Sequence, residues 1–245
     1  MKPQLLIACD FDGTVTRQDT LVEILNRFGS PGWAQVQDRV VSGQISIREG
    51  LQSEMGSVRA TRQELEKLLA DRVQVDPTFP DFLRQMRLRG IPVVLITGGF
   101  DLCVEAVMAQ SGLWPVPFLA NRLRLADGSW QVDFPYPSLT CTACGHCKGD
   151  PIRSWRAQGY TTVFAGNGVT DRCGAAAAGL CAEARGGASF GAGLCAEARG
   201  GASFGAGLTF AKEELGQWCL QEGVPAVEFK NFDDIQQELM KREWL

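Results

Sequence analysis

The first residues able to do chemistry are at 6–14, Leu6-Ile7-Ala8-Cys9-Asp10-Phe11-Asp12-Gly13-Thr14. An apolar run of strand type ends there in two aspartates two residues apart, followed by a glycine turn. Alternate residues at a strand's end put two carboxylates on one side, where a cation can sit between them and a phosphate. In that arrangement Asp10 is a nucleophile and Asp12 a general acid and base, while Gly13 lets the backbone come close to phosphate oxygens. The plainer alternative makes Asp10 a helix cap and leaves Asp12 facing water. A lone Asp-x-Asp would favour that alternative, but three further polar segments follow along the chain.

Ile91 to Ile96 form a second strand of buried type, which delivers Thr97-Gly98-Gly99-Phe100. Thr97 can donate to a phosphoryl oxygen, and Gly98 and Gly99 offer unobstructed N–H groups, although such a segment alone is more often a simple turn. Lys148 stands in Cys147-Lys148-Gly149-Asp150-Pro151. Asp150 and Pro151 suit N-cap and N1, which predicts a helix just after Lys148 and lets this lysine reach back as a point charge instead of lying solvated. The last segment runs from Thr161 to Asp171 and closes a strand on a Gly-rich turn carrying Asn167. Four polar loops at the C-terminal ends of strands form a ligand site in an open α/β sheet.

These four segments, in this order, resemble the motifs of the haloacid dehalogenase superfamily of aspartate-nucleophile phosphatases. The resemblance runs from about residue 4 to about residue 240, outside one insertion. Thr97-Gly98-Gly99-Phe100 is similar to the phosphoserine-phosphatase-like branch. Ser46-Ile47-Arg48-Glu49-Gly50, Cys144-Gly145-His146-Cys147-Lys148, Val169-Thr170-Asp171 and Phe210-Ala211-Lys212 further resemble the phosphatases of methionine salvage.

The resemblance implies an α/β fold, a Rossmann-like doubly wound and mainly parallel sheet, with a small α-helical cap inserted after the first strand. The core would take residues 1–14 and 77–245 and the cap residues 15–76. It also implies Mg2+-dependent hydrolysis of a small phosphorylated metabolite through an aspartyl-phosphate. Asp10, Asp12, Thr97 and Lys148 would be catalytic, and Gly13, Thr14, Arg48, Gly98 and Gly99 would bind substrate. Asp10, Asp12, Asn167 and Asp171 would form the metal site, through the Asp10 carboxylate, the Asp12 carbonyl and the Asn167 side chain, with Asp171 supporting the loop and Lys148. Asn167 departs from the family, which usually has aspartate there. That departure implies a raised Mg2+ requirement or, as the alternative, a weakened binding or regulatory pseudoenzyme. The implied substrate is the 2-hydroxy-3-keto-5-methylthiopentenyl-1-phosphate of methionine salvage. Phosphoserine, phosphoethanolamine and pyridoxal-phosphate-type compounds are the runners-up.

Elements must hold these residues in place. Leu21, Val22, Ile24, Leu25 and Phe28 give one apolar helical face, and Ser46-x-x-Glu49 and Thr61-x-x-Glu64 each read as a capping box. Three or four short helices are therefore expected between Thr14 and Asp76. Helices are also expected at 77–90, 101–111, 212–222 and 232–243, a hairpin around Asp127-Gly128, and a short strand at 227–229. A chain of 245 residues with net charge −4 has core enough for this and no basic surface for nucleic acid. No leader or membrane span is expected, so the reading is a cytoplasmic protein with its nine cysteines reduced. Oligomeric state stays open. Cys141, Cys144, Cys147 and His146 crowd together but lack the second half of a zinc knuckle. Thiols shaping the Lys148 loop, with His146 exposed on it, are the favoured reading and a bound metal the alternative.

Residues 179–192 recur identically at 193–206. Removing residues 181–208 joins Leu180 to Thr209 and restores the family pattern, so this tandem repeat reads as an insertion in an αβ connection, away from the catalytic loops.

Overall fold

The computed structural model describes residues 2–138, 141, 144–179 and 207–245. Its strands are β1 (Leu5–Cys9), β2 (Val93–Phe100), β3 (Phe118–Ala126), β4 (Ser129–Asp133), β5 (Thr161–Gly166), β6 (Leu208–Ala211) and β7 (Val227–Glu228). They make one seven-stranded sheet in the order β4-β3-β2-β1-β5-β6-β7. Every neighbouring pair is parallel except β3 and β4, which form the hairpin that turns at Asp127 and Gly128. All five residues of β1 are buried, as a strand covered on both faces requires. The chain steps from β1 to β2, β3 and β4 on one side and then crosses through α7 to β5 on the other side of β1, so the strand order reverses beside β1 and opens a crevice at its C-terminal end. This is the doubly wound α/β architecture.

The first four helices after β1 are α1 (Thr20–Phe28), α2 (Trp33–Val41), α3 (Ile47–Ser57) and α4 (Arg62–Arg72). Both capping boxes form, so Ser46 with Glu49 and Thr61 with Glu64 each satisfy donors that a helix start leaves unpaired. The cap of α1 is Asp19, whose carboxylate accepts from the Val22 N–H at 3.0 Å. Asp10 is therefore free of that structural duty.

The remaining helices are α5 (Phe79–Leu88), α6 (Asp101–Gln110), α7 (Gly149–Ala157), α8 (Arg172–Ala178), α9 (Glu213–Glu222) and α10 (Phe232–Lys241). Phe232, Ile235 and Leu239 are fully buried, and the Phe232 ring sits 4.7 Å from Phe79 and 5.2 Å from Phe82, which joins α10 to α5. Among the described residues no helix is long and apolar enough to cross a membrane.

Most of the tandem repeat, residues 180–206, lies outside the described residues. Its two ends are adjacent: α8 closes at Gly179, and a Cβ on Gly207 would stand 2.1 Å from the Ala178 carbonyl oxygen. The chain thus enters β6 beside the point where it left α8. Leu208 belongs to β6 and not to the connection. Leu180 and Leu208 are equivalent in the repeat, so removal of 181–208 still supplies a leucine to start that strand.

Candidate active site

β1 delivers Asp10 into the crevice, its N–H held by the Ala165 carbonyl at 2.8 Å. The chain then turns tightly, with the N–H groups of Val15 and Thr16 returning to the Phe11 carbonyl at 2.9 and 3.0 Å. Phe11 is fully buried in the core while Asp10 and Asp12 face the opposite way, as alternation along an extended segment dictates. Gly13 has φ +75°, and a Cβ there would meet Asn167 Nδ2 at 2.4 Å, so both conformation and space require glycine.

Lys148 is buried, and its ammonium bridges Asp10 Oδ1 and Asp171 Oδ1. Its position corrects the expected helix start. Lys148 is itself the N-cap of α7, with φ −67° and ψ −20°, and Asp150 lies inside the first turn, paired with Arg153. Gly149 makes the earlier start feasible: a Cβ there would meet the Cys173 carbonyl at 2.8 Å, so only glycine lets α7 close against α8.

Asp171 is fully buried and both its oxygens are committed. Oδ1 holds Lys148, and Oδ2 accepts the N–H groups of Asn167 and Gly168, each at 2.9 Å. Asp171 thereby fixes the turn after β5 and the lysine together. Thr14 Oγ1 lies 3.3 Å from Asp10 Oδ2 and 3.0 Å from Asn167 Oδ1, so those two oxygens converge on one point. Asn167 Nδ2 donates to Glu213 Oε2 at 3.0 Å.

Thr97, Gly98 and Gly99 lie inside β2, not beyond its end. The pairing of β2 with β3 shifts register between Ile96 and Phe100, and that irregularity turns Thr97 toward the crevice. Thr97 Oγ1 accepts the Gly99 N–H at 2.8 Å and donates to Asp12 Oδ2 at 3.4 Å. Asp12 Oδ1 accepts the Thr20 N–H at 2.8 Å, which ties the Asp12 turn to the start of α1. Arg48, on the first turn of α3, carries its guanidinium 5.0 Å above the Phe134 ring. Gly145 packs beside that ring and beside Leu51 of α3, so helix and Lys148 loop meet there.

His146 differs from the expectation of an exposed residue. It is 3% exposed, stacks on Tyr136 with ring centroids 4.8 Å apart, and hydrogen-bonds the Thr97 main chain. Burial first, and the Lys148 charge second, push its pKa down to about 4, so the ring is neutral at physiological pH. Tyr136, the aromatic partner, carries no signal in the sequence, because nothing in its spacing links it to His146. Glu213 had a usable signal, since it follows Phe210-Ala211-Lys212 at the C-terminal end of the next parallel strand.

Charge in the crevice is unbalanced. Burial first, then Asp171, raises Asp10 to about 7 against the pull of Lys148. Burial and then Asp19 raise Asp12 to about 7. For Lys148, burial favours the neutral form, but Asp10 and Asp171 overcome it and hold the ammonium above its usual range. One lysine among three carboxylates and an amide oxygen is an all-oxygen donor set short of positive charge, which fits a hard divalent cation such as Mg2+.

Asp10 and Asp12 titrate near 7 in the fold and near 3.8 as ordinary carboxylates, so the native state binds more protons across that interval. Their contribution to stability is thus lost as pH rises from about 4 to about 7. Added Mg2+ is expected to raise Tm more at pH 8 than at pH 5, read by thermal unfolding at matched ionic strength. A larger rise at pH 5 would contradict the charge imbalance.

Residues 7–176 match the family model described as haloacid dehalogenase-like hydrolase. A relative from Brevibacillus brevis named 2-hydroxy-3-keto-5-methylthiopentenyl-1-phosphate phosphatase is 29% identical over 178 residues, covering 71% of this chain and 80% of its own. A protein of the same name from Bacillus velezensis is 30% identical, covering 72% of this chain and 76% of its own. Among solved structures, a phospho-aspartyl intermediate analogue of phosphoserine phosphatase superposes with TM-score 0.63 at 19% identity, covering 99% of both chains. A probable phosphoserine phosphatase from Vibrio cholerae gives TM-score 0.65 at 20% identity, covering 98% of this chain and 67% of the other.

Proposed function

The chain belongs to the haloacid dehalogenase-like hydrolase family and is a phosphoric monoester hydrolase, and from that premise we propose that it is a cytoplasmic, Mg2+-dependent phosphatase acting on 2-hydroxy-3-keto-5-methylthiopentenyl-1-phosphate. The observation that carries the reaction is Lys148 held between Asp10 and Asp171 at the switch point of the sheet, with Asp12 two residues along. The substrate rests on the names of the relatives.

Asp10 attacks phosphorus, the ester P–O bond breaks, and an aspartyl-phosphate forms. With a pKa near 7, Asp12 is protonated often enough at neutral pH to give its proton to the departing alkoxide. As carboxylate it then takes a proton from the water that attacks phosphorus, which releases inorganic phosphate and regenerates Asp10. Lys148, the Thr97 hydroxyl and the Gly98 N–H serve the phosphoryl oxygens and offset the charge developing on them, while the Gly99 N–H orients the Thr97 hydroxyl and Gly13 leaves room for the backbone turn. Mg2+, taken by the Asp10 carboxylate, the Asp12 carbonyl and Asn167 Oδ1, would supply charge neutralisation at the phosphate. Asp171, with both oxygens engaged, positions the turn and the lysine. Helices α1 to α4, within residues 15–76, act as a cap that excludes water from the intermediate.

A panel of phosphometabolites tests the substrate. The enol-phosphate is expected to exceed phosphoserine in kcat/KM by at least about tenfold, equivalent to roughly 1.4 kcal/mol. Equal or reversed values would reject this substrate while leaving the phosphatase chemistry standing.

Arg48, held over Phe134 where α3 meets the Lys148 loop, is assigned to the part of the substrate beyond the phosphate. Arg48→Ala is expected to lower kcat/KM for substrates carrying a carbonyl or anionic group about tenfold more than for p-nitrophenyl phosphate. Equal losses would assign Arg48 to holding the cap together.

Glu213 stands beside Asn167 and supplies negative charge where the family has an aspartate. Asn167→Asp alone would place two carboxylates about 3 Å apart, which is repulsive. A bound cation relieves that repulsion, so Asn167→Asp alone is expected to lower the half-saturating Mg2+ concentration about tenfold, and by less when Glu213→Gln takes the added charge away. An unchanged midpoint in both would remove residue 167 from the metal site.

A further inference from the structure

The loop that carries Lys148 holds a second constellation. The sulfurs of Cys141, Cys144 and Cys147 are joined by that of Cys173, at the start of α8, and all four lie within 4.8 Å of one another. The chain order gave three cysteines and a histidine without a second half. In the fold His146 turns away beneath Tyr136, and the missing ligand comes from a separate element. The Gly149 contact with the Cys173 carbonyl presses α7 onto α8 and brings that cysteine in.

We propose that these four cysteines bind one structural Zn2+ ion, separate from the catalytic cation. A tetrahedral ZnS4 centre with bonds of about 2.3 Å has sulfur–sulfur edges of about 3.8 Å, so the quartet reaches it by closing by no more than about an ångström. Four thiolates suit Zn2+ and not the hard Mg2+ of the crevice. Multi-iron clusters place irons and sulfides between their cysteines and require a wider spread than this quartet has. Cys147 is buried and accepts hydrogen bonds from the backbone N–H groups of Gly149 and Asp150, donors that stabilise a thiolate ligand. Binding releases the thiol protons to solvent and changes no oxidation state.

The ion would act on the catalytic loop. Cys147 immediately precedes Lys148, so fixing its sulfur fixes the origin of the lysine side chain, while Cys173 follows Asp171 by two residues. One ion therefore clamps the two segments that Lys148 and Asp171 join by their charges. Because it rests on the sulfur geometry, this assignment holds whatever the substrate is.

The test is metal analysis of the full-length protein purified without chelator from zinc-supplemented culture. The expected result is about one zinc per chain that survives dialysis into Mg2+ buffer, with X-ray absorption giving four sulfur neighbours at about 2.3 Å. Cys173→Ser should lower retained zinc at least about tenfold and lower Tm, whereas Cys219→Ser, a cysteine elsewhere in the core, should change neither stoichiometry nor ligand shell. If Cys173→Ser is insoluble, the absorption spectrum of the parent decides alone. Absence of zinc, nitrogen or oxygen neighbours in place of sulfur, iron in its stead, disulfides among the four, or undiminished zinc in a folded Cys173→Ser would each overturn the proposal.

Discussion

Asp10→Asn is expected to abolish turnover and leave the fold standing. An amide has no charged oxygen with which to attack phosphorus and is a weaker ligand for a hard cation. The expected loss in kcat exceeds about a thousandfold, or about 4 kcal/mol of barrier. Stability should move the other way. In the metal-free protein Asp10 is a buried carboxylate whose pKa is raised to about 7, so its ionised form costs free energy above that pH. Removing the charge at pH 8 should leave Tm unchanged or raise it, whereas loss of a structural cap would lower it. Steady-state rates and thermal melts on the same preparation separate the two, and retention of more than a few per cent of the parent rate would sink the covalent route.

Lys148→Ala should damage both stability and catalysis. It leaves Asp10 and Asp171 buried without the cation between them, and breaking a buried pair from one side costs about 3–5 kcal/mol. The loss should be larger at pH 8 than at pH 5, because the stranded carboxylates can take up protons at the lower pH. Catalysis should fall by about 10²–10³ beyond any effect of unfolding, since the charge on the phosphoryl oxygens loses its partner. Combining Lys148→Ala with Asp171→Asn removes one of the stranded charges and is expected to recover part of the stability but none of the rate. Urea titrations and kcat measured together check this, and recovery of both would make Lys148 a purely structural residue.

Much of the fold was legible because its signals are local. The buried run of β1, the two capping boxes, Asp127-Gly128 and the spacing of Phe232, Ile235 and Leu239 each bind residues close in sequence to one element. Family membership was legible from motif order. What local signals could not give was contact across the sheet. Asp150 looked like a helix cap because capping preference ignores α8, whose backbone fits only against Gly149. His146 looked exposed because a polar residue in a cysteine-rich loop usually is, and only folding puts Tyr136 over it. Cys173 lies in an ordinary helical segment, and its sulfur gains meaning from three others brought to it by α7. Glu213 beside Asn167 is of the same kind, a pairing between loops at the ends of neighbouring strands.

The central claim is that Asp10 carries the phosphoryl group. The direct measurement is peptide mapping by mass spectrometry of enzyme acid-quenched during turnover of the enol-phosphate with Mg2+ present. The account predicts one phosphoryl group on the peptide spanning β1, located at Asp10, absent when substrate is withheld and absent from Asp10→Asn. Phosphate release at full rate with no phosphorylated peptide in rapid-quench samples, or a phosphoryl group found on any other residue, would contradict it.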